Sequence, residues 1–192
     1  AGSERHMMQS MFTSNARPFY NSASIMELKA ISMEAYIPFI VNNFRKREKE
    51  ISEATVERIH NLFQGHTYYV QKTFNEAFTD TLEGEECTIS MLKEVIDNMI
   101  MEHSTIFREI LSNIPENRKA LLYAIAIDGL AEKITSSEFI KRHNLPSASS
   151  VQASIKKLLD SDLVTEVNKS YQVTDKLFSM WINNMYGKPF EL

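Results

Sequence analysis

From Ser32 onward the apolar residues recur at three- and four-residue intervals, the spacing of helices that bury one face. Tyr36, Ile37, Ile40, Val41 and Phe44 mark the first face. Pro38 should sit in its first turn or kink it, because proline lacks an amide and crowds the preceding turn. Ser52 is placed to cap a second helix, with Val56, Ile59, Leu62 and Phe63 inward and Gly65 as a left-handed stop. A third helix runs from about Thr67 to Thr79 through Val70, Phe74 and Phe78. Asp80 to Glu86, polar and containing Gly84, reads as a loop. A long fourth helix then spans about Thr88 to Ser112, carrying Ile89, Leu92, Ile96, Met99, Ile100, Phe107 and Ile110 inward. Four helices with short joints predict a bundle.

Beyond Ile114 the rhythm shortens. Pro115 opens a helix with Leu121, Leu122 and Ile125 inward, and Gly129 ends it. At Ile134-Thr135-Ser136-Ser137-Glu138-Phe139, Thr135 can cap the amide three residues on while Glu138 reaches back to it, and Ile134 can staple to Phe139. After the break at Asn144-Leu145-Pro146, Ser147 or Ser149 caps a second short helix whose buried face is Val151, Ile155, Leu158 and Leu159. A strand-turn-strand follows from Leu163 to Val173, with Lys169 at its tip, and Phe178, Trp181 and Tyr186 are expected to plug the core. The fold class is therefore mainly α, a helical bundle followed by a winged helix-turn-helix domain with a small β-hairpin. Upstream of Ser32 the pattern is less regular. Ser3 can cap a helix through Met7, Met8 and Met11 to Phe12, Arg17-Pro18-Phe19-Tyr20 lies in a loop, and Ile25 to Leu28 can form a short strand. The chain opens on Ala1-Gly2-Ser3-Glu4-Arg5-His6 without an initiator Met, and a piece of a longer protein is expected.

Composition excludes more than it assigns. With 43% hydrophobic and 24% charged residues in 192, the chain has an ordinary core rather than a disordered makeup. The net charge of −4 is unevenly placed. Residues 115–192 hold 10 Lys/Arg against 9 Asp/Glu, and residues 1–114 hold 11 against 16. A near-neutral winged helix is weak support for DNA, where a basic face is expected. Cys87 stands alone, so no internal disulfide forms, and a cytoplasmic setting is expected. No apolar run of about 18 residues or signal pattern suggests a membrane. The five glycines are scattered, so there is no phosphate-cradling Gly-rich loop ending in Lys-Ser/Thr. The five histidines show no metal spacing, and no nucleophile sits in a recognisable turn. No catalytic or metal-ligating residue is assigned.

Three segments together resemble the archaeal-type ATPases, a P-loop family of the AAA+ superfamily related to origin-recognition initiators and to signalling ATPases. The first, Gly2-Ser3 with Met8 and Met11-Phe12 and then Arg17-Pro18-Phe19-Tyr20, looks like the stretch after the family's sensor strand. The second, Gln64-Gly65-His66-Thr67-Tyr68-Tyr69-Val70-Gln71, is similar to the Gly-x-Pro-Tyr-Tyr turn of its lid bundle. Thr67 stands where that motif often has Pro, a residue that lies near the adenine in related ATPases. The third, Ala148-Ser149-Ser150-Val151-Gln152 with Leu158, then Tyr171-Gln172-Val173-Thr174-Asp175 and Phe178 to Trp181, looks like its C-terminal winged helix.

The resemblance implies residues 1–31 as a remnant of an ATPase core, 32–113 as its lid bundle and 114–192 as its winged helix, with Walker A and Walker B upstream. ATP and Mg would belong to the full-length parent, an ATPase, and none is expected in this chain, which is expected to be inactive alone. Ser3 and Arg5 would be a sensor hydroxyl and charge, and Gly65, His66 and Thr67 would lie near nucleotide. The simpler alternatives are a capping serine, a solvated arginine and an ordinary glycine stop. Lys141, Arg142, Ser149, Gln152, Lys156 and Lys169 are candidates to meet DNA, the cations at phosphates and Gln152 at a base. The partner would be DNA, another protein or the chain's own ATPase core. A stand-alone transcription-regulator-like protein and a protein-interaction scaffold are the rival readings.

Overall fold

A computed structural model describes Ser22 and residues 30–192. The expected helix after Ser3, the loop at Arg17–Tyr20, the strand at Ile25–Leu28 and the candidates Ser3 and Arg5 lie outside the described residues. Residues 31–192 pack as one compact unit. Its elements are α1 (Met33–Arg45), α2 (Glu53–Leu62), α3 (Thr67–Asp80), α4 (Ile89–Ser112), α5 (Glu116–Asp128), α6 (Ser137–Arg142), α7 (Ala148–Asp160), β1 (Val164–Val167), β2 (Ser170–Val173) and α8 (Lys176–Tyr186).

Side-chain oxygens start most of these helices. Ser52 accepts from the Thr55 amide at 3.1 Å, Thr88 from Met91 at 3.3 Å and Ser147 from Ser150 at 3.2 Å. The cap of α6 is Ser136, which accepts from Phe139 at 3.2 Å, and not Thr135 as the sequence pattern suggested. A start one residue later puts Phe139 third in the helix, where it is buried, and leaves Glu138 exposed, so no reciprocal capping box forms. Pro38 falls inside α1 rather than in its first turn, and the helix continues past it.

Four helices end in the same way. After α1, α2, α6 and α7 the chain takes a left-handed residue at Glu48, Gln64, Asn144 and Asp162, with φ of 55°, 51°, 51° and 56°. In each case the next amide reaches back five residues to a helix carbonyl: Lys49 to Phe44, Gly65 to His60, Leu145 to Ile140 and Leu163 to Leu158. This is the paired-bond stop that satisfies otherwise orphaned carbonyls. At the end of α2 the left-handed stretch therefore spans Gln64 as well as Gly65, whose φ is 70°.

The bundle is closed at one end by backbone pairing between two loops. Glu50 donates to the Glu85 carbonyl at 2.9 Å, Cys87 donates to the Glu50 carbonyl at 2.8 Å, and Cys87 is buried beside them. In the winged helix, β1 and β2 pair antiparallel with Val164 opposite Val173 and Val167 opposite Ser170. Asn168 and Lys169 make the turn with φ of 51° and 66°, the two positive angles of a type I′ hairpin. A single antiparallel bridge from Ala131 to Tyr171 adds a third short strand at the edge.

Helix α4 belongs to both halves of the core. It packs on α3 in the bundle and on α8 in the winged helix. Phe107 of α4 meets Phe178 at 4.9 Å and Trp181 at 5.9 Å between ring centres, and the Trp181 indole donates to Ser104 Oγ at 3.0 Å. Phe178 and Trp181 form the plug expected from the sequence. Tyr186 does not join them; it is exposed and stacks on Tyr123 at 4.3 Å.

Candidate functional site

Helix α7 is the second helix of the helix-turn-helix, and its sequence fixes which face is free. Val151, Ser154, Ile155 and Leu158 are buried against α5 and β1, which leaves Ser149, Gln152 and Lys156 exposed on the opposite side. From Ala148 to Leu159 the helix carries no carboxylate. Lys169 is exposed at the hairpin turn, and Lys141 is exposed at the end of α6. Lys141, Lys156 and Lys169 form no ion pair among the described residues, so their charges are available to a partner.

Two other cations are spoken for. Arg142 pairs through its guanidinium with Asp128 Oδ2, and His143 Nε2 lies 3.0 Å from Asp128 Oδ1. Asp128 thus ties the end of α5 to the end of α6 and removes Arg142 from the free face. Lys157 lies 3.8 Å from Asp160, which sits at the far end of α7. Within α7 itself the one carboxylate, Asp160, falls at the C-terminal end, away from Ser149 and Gln152.

A joint that the sequence did not reveal links the start of α3 to β2 and the cap of α8. The turn Gln64-Gly65-His66-Thr67 leads into α3, whose first residue, Thr67, is half-buried. His66 stands exposed as N-cap without a side-chain capping bond and stacks on Tyr69 at 4.6 Å. Tyr69 is buried and donates its hydroxyl to Asp175 Oδ2 at 2.7 Å. Asp175 Oδ1 meanwhile caps α8, accepting from Leu177 at 2.8 Å and Phe178 at 3.1 Å. Beside this pair the amides of Gln64 and Gln172 exchange hydrogen bonds at 3.2 and 3.3 Å. Lys176 donates to Gln172 Oε1 at 2.9 Å. Burial, reinforced by the bond to Asp175, holds the Tyr69 hydroxyl well above the usual tyrosine range, and burial pushes the Lys176 ammonium below its ordinary value.

Among the described residues no group of three or more His, Cys, Asp or Glu is placed to hold a metal ion. No helix among them is long and apolar enough to cross a membrane. Gly65, His66 and Thr67 lie consecutively in the turn into α3, and Ser149, Gln152 and Lys156 share one face. The joint residues Tyr69, Gln172 and Asp175 were missed as a set because Tyr69 lies more than a hundred positions from the other two. Only Asp175, an aspartate just ahead of the apolar run of α8, carried a readable capping signal.

Residues 105–184 match the family model described as "Probable winged helix domain", which begins within α4. Those residues contain the helix-turn-helix and hairpin described above. No curated protein matches the chain. Among solved structures, a Walker-type ATPase of Pyrococcus abyssi has a similar fold over 95% of this chain, with a TM-score of 0.66 and 16% sequence identity. The chain spans about half the length of that protein, the match covering 51% of it. At this identity the likeness is one of fold.

Proposed function

We propose that this chain is the lid bundle and winged helix of a P-loop ATPase, coupling nucleotide held by a core elsewhere on the polypeptide to DNA bound on α7 and the wing. Residues 32–113 act as the lid and residues 114–192 as the coupled binding domain. The observation that carries the reading is the joint. The turn that would face nucleotide is hydrogen-bonded through Tyr69 to the cap of α8, so movement of α3 is passed to the winged helix and not absorbed by a linker.

The residues of the turn suit a supporting place beside ATP. Helix α3 starts without a side-chain cap, so its first amides are available to an anion or to water, and His66 and Tyr68 are exposed next to them. The phosphates and Mg would be held by the core, which supplies the phosphoryl-transfer chemistry. This chain would contribute closure and exclusion of water on one side.

The DNA arm rests on Lys141, Lys156 and Lys169 around a carboxylate-free stretch of α7. In the full-length protein, duplex affinity is measured with and without Mg-ATP. The two values should differ at least about threefold in the native protein and converge in Tyr69→Phe. At about 50 mM salt, Lys156→Glu and Lys169→Glu should each weaken retention tenfold or more, because each removes a phosphate contact and its counterion release. Gln152→Ala should change sequence preference more than affinity. If both reversals leave binding untouched, DNA is not the partner. The second reading, a face that docks another protein, is favoured by the neutralisation of Arg142 by Asp128.

A further inference from the structure

Helices α1 and α3 leave between them a groove of about 650 Å³. Ile40, Phe44 and Phe74 form its buried apolar floor, while Phe39 and Tyr68 stand at its edges with 55% and 53% of their surface exposed. A volume of this order lies within the ~300–1,000 Å³ typical of ligand sites. Three cations line it, Lys46, Arg47 and Lys72, and no carboxylate does. Lys72 is held by Glu76 at 3.5 Å and Glu102 at 2.7 Å. Lys46 and Arg47 form no ion pair among the described residues. They follow directly on α1, where their charge also suits the helix dipole, but the dipole alone does not require an aromatic groove beside them.

The second observation is a deficit in a residue that lines the same groove. Tyr36 lines it and is only 3% exposed, yet its hydroxyl is buried with no hydrogen-bond partner. Burial raises the pKa of this hydroxyl, so it remains a neutral donor. Buried polar groups in folded proteins are almost always satisfied, so an unpaired hydroxyl in the groove wall is a donor that an occupant can use.

We propose that this groove receives an acidic peptide segment of a partner protein. An aromatic or long aliphatic side chain anchors in the apolar floor, carboxylates meet Lys46 and Arg47, and a peptide oxygen accepts from Tyr36. This goes beyond the ATPase reading and does not depend on it. A nucleic acid fits less well. Only two cations are free, and residues 1–114 carry five more carboxylates than cations, which opposes a long run of phosphates. A short peptide needs only the local match.

The test is selection of random dodecapeptides against the chain, followed by fluorescence anisotropy of the selected peptides. Selected sequences should be net acidic with at least one aromatic or leucine anchor. Lys46→Glu with Arg47→Glu should weaken their binding at least tenfold, and Phe39→Ala should do the same. Tyr36→Phe should melt no lower than the native chain, since it removes an unpaired hydroxyl, and still bind at least threefold more weakly. Selection of basic or uncharged sequences, failure to select any, or full binding by the double charge reversal would overturn the proposal. Binding of a thymidine 20-mer that the same double reversal abolishes would reassign the groove to single-stranded nucleic acid.

Discussion

Replacing Asp175 by alanine removes one carboxylate that three donors share, two helix amides on Oδ1 and the Tyr69 hydroxyl on Oδ2. Loss of the α8 cap costs about 1 kcal/mol. The Tyr69 hydroxyl, in a site only 6% exposed, is left without its acceptor, which adds about 1–3 kcal/mol. Asp175→Ala should therefore destabilise the chain by about 2–4 kcal/mol. For a chain of this size that lowers the melting midpoint by roughly 4–16 °C. Tyr69→Phe keeps the cap and loses a bond to a charged acceptor, about 1.5–3 kcal/mol. The double variant is the discriminating case. With the carboxylate already gone, the phenyl ring relieves an orphan, so the pair should lose less than the sum of the singles by about 1.5 kcal/mol or more. Urea unfolding followed by Trp181 fluorescence suits the measurement, because Trp181 lies on α8, less than two turns beyond the cap. If the two substitutions add within about 0.5 kcal/mol, the joint does not exist as described.

Other expectations follow from single features of the structure. Gly65→Val should cost at least about 1 kcal/mol, since φ of 70° is forbidden to a β-branched residue, and an unchanged midpoint in thermal melts would contradict the left-handed turn. Glu48→Gly should stabilise by about 0.5–1 kcal/mol, because Glu48 is exposed and left-handed at φ of 55°; a lower denaturation midpoint would count against the cap described at the end of α1. Alkaline pH should unfold the chain. Burial holds the Tyr69 pKa above its unfolded value of about 10, so its contribution is complete below that pH and is lost as pH rises beyond it. Tyr69→Phe should make the fall in urea midpoint above pH ~10 shallower, and an unchanged slope would refute this. Asp128→Asn should release Arg142 and, if DNA is the partner, raise duplex affinity several-fold at low salt and steepen the salt dependence by about one phosphate. Unaltered affinity in a filter-retention assay would show that Arg142 does not reach a phosphate.

Much of the fold was legible because its causes are local. The inward faces of the bundle helices, the serine caps at Ser52 and Ser147 and the hairpin turn with Lys169 at its tip each depend on residues within a few positions of one another. Periodicity and turn chemistry report such causes directly. The misplaced cap at Thr135 shows where this breaks down. Thr135 and Ser136 are both competent oxygens, and the choice falls to Ser136 because Thr135 lies in a turn closed by the Ser136 amide on the Lys133 carbonyl. The four paired-bond helix stops were half legible. Gly65 announced itself, and Asn144 and Asp162 are types that tolerate a left-handed backbone, while Glu48 and Gln64 are not. Asp128 gave no signal of its own, since neutralising Arg142 requires α5 and α6 to meet end to end.

The sequence by itself determined which segments are helical, where most of them begin and end, and that a winged helix-turn-helix follows a bundle. It did so because burying one face and satisfying backbone groups at helix ends are problems solved within ten or fifteen residues. Tertiary structure alone decided that α4 serves both halves of the core. It also decided that Gln64 and Tyr69 meet Gln172 and Asp175, and that Phe39, Tyr36 and Tyr68 surround one groove. Those relations join residues that are remote in the chain, and they rest on how helices pack across a shared core, a competition among many apolar faces that no short stretch of sequence resolves.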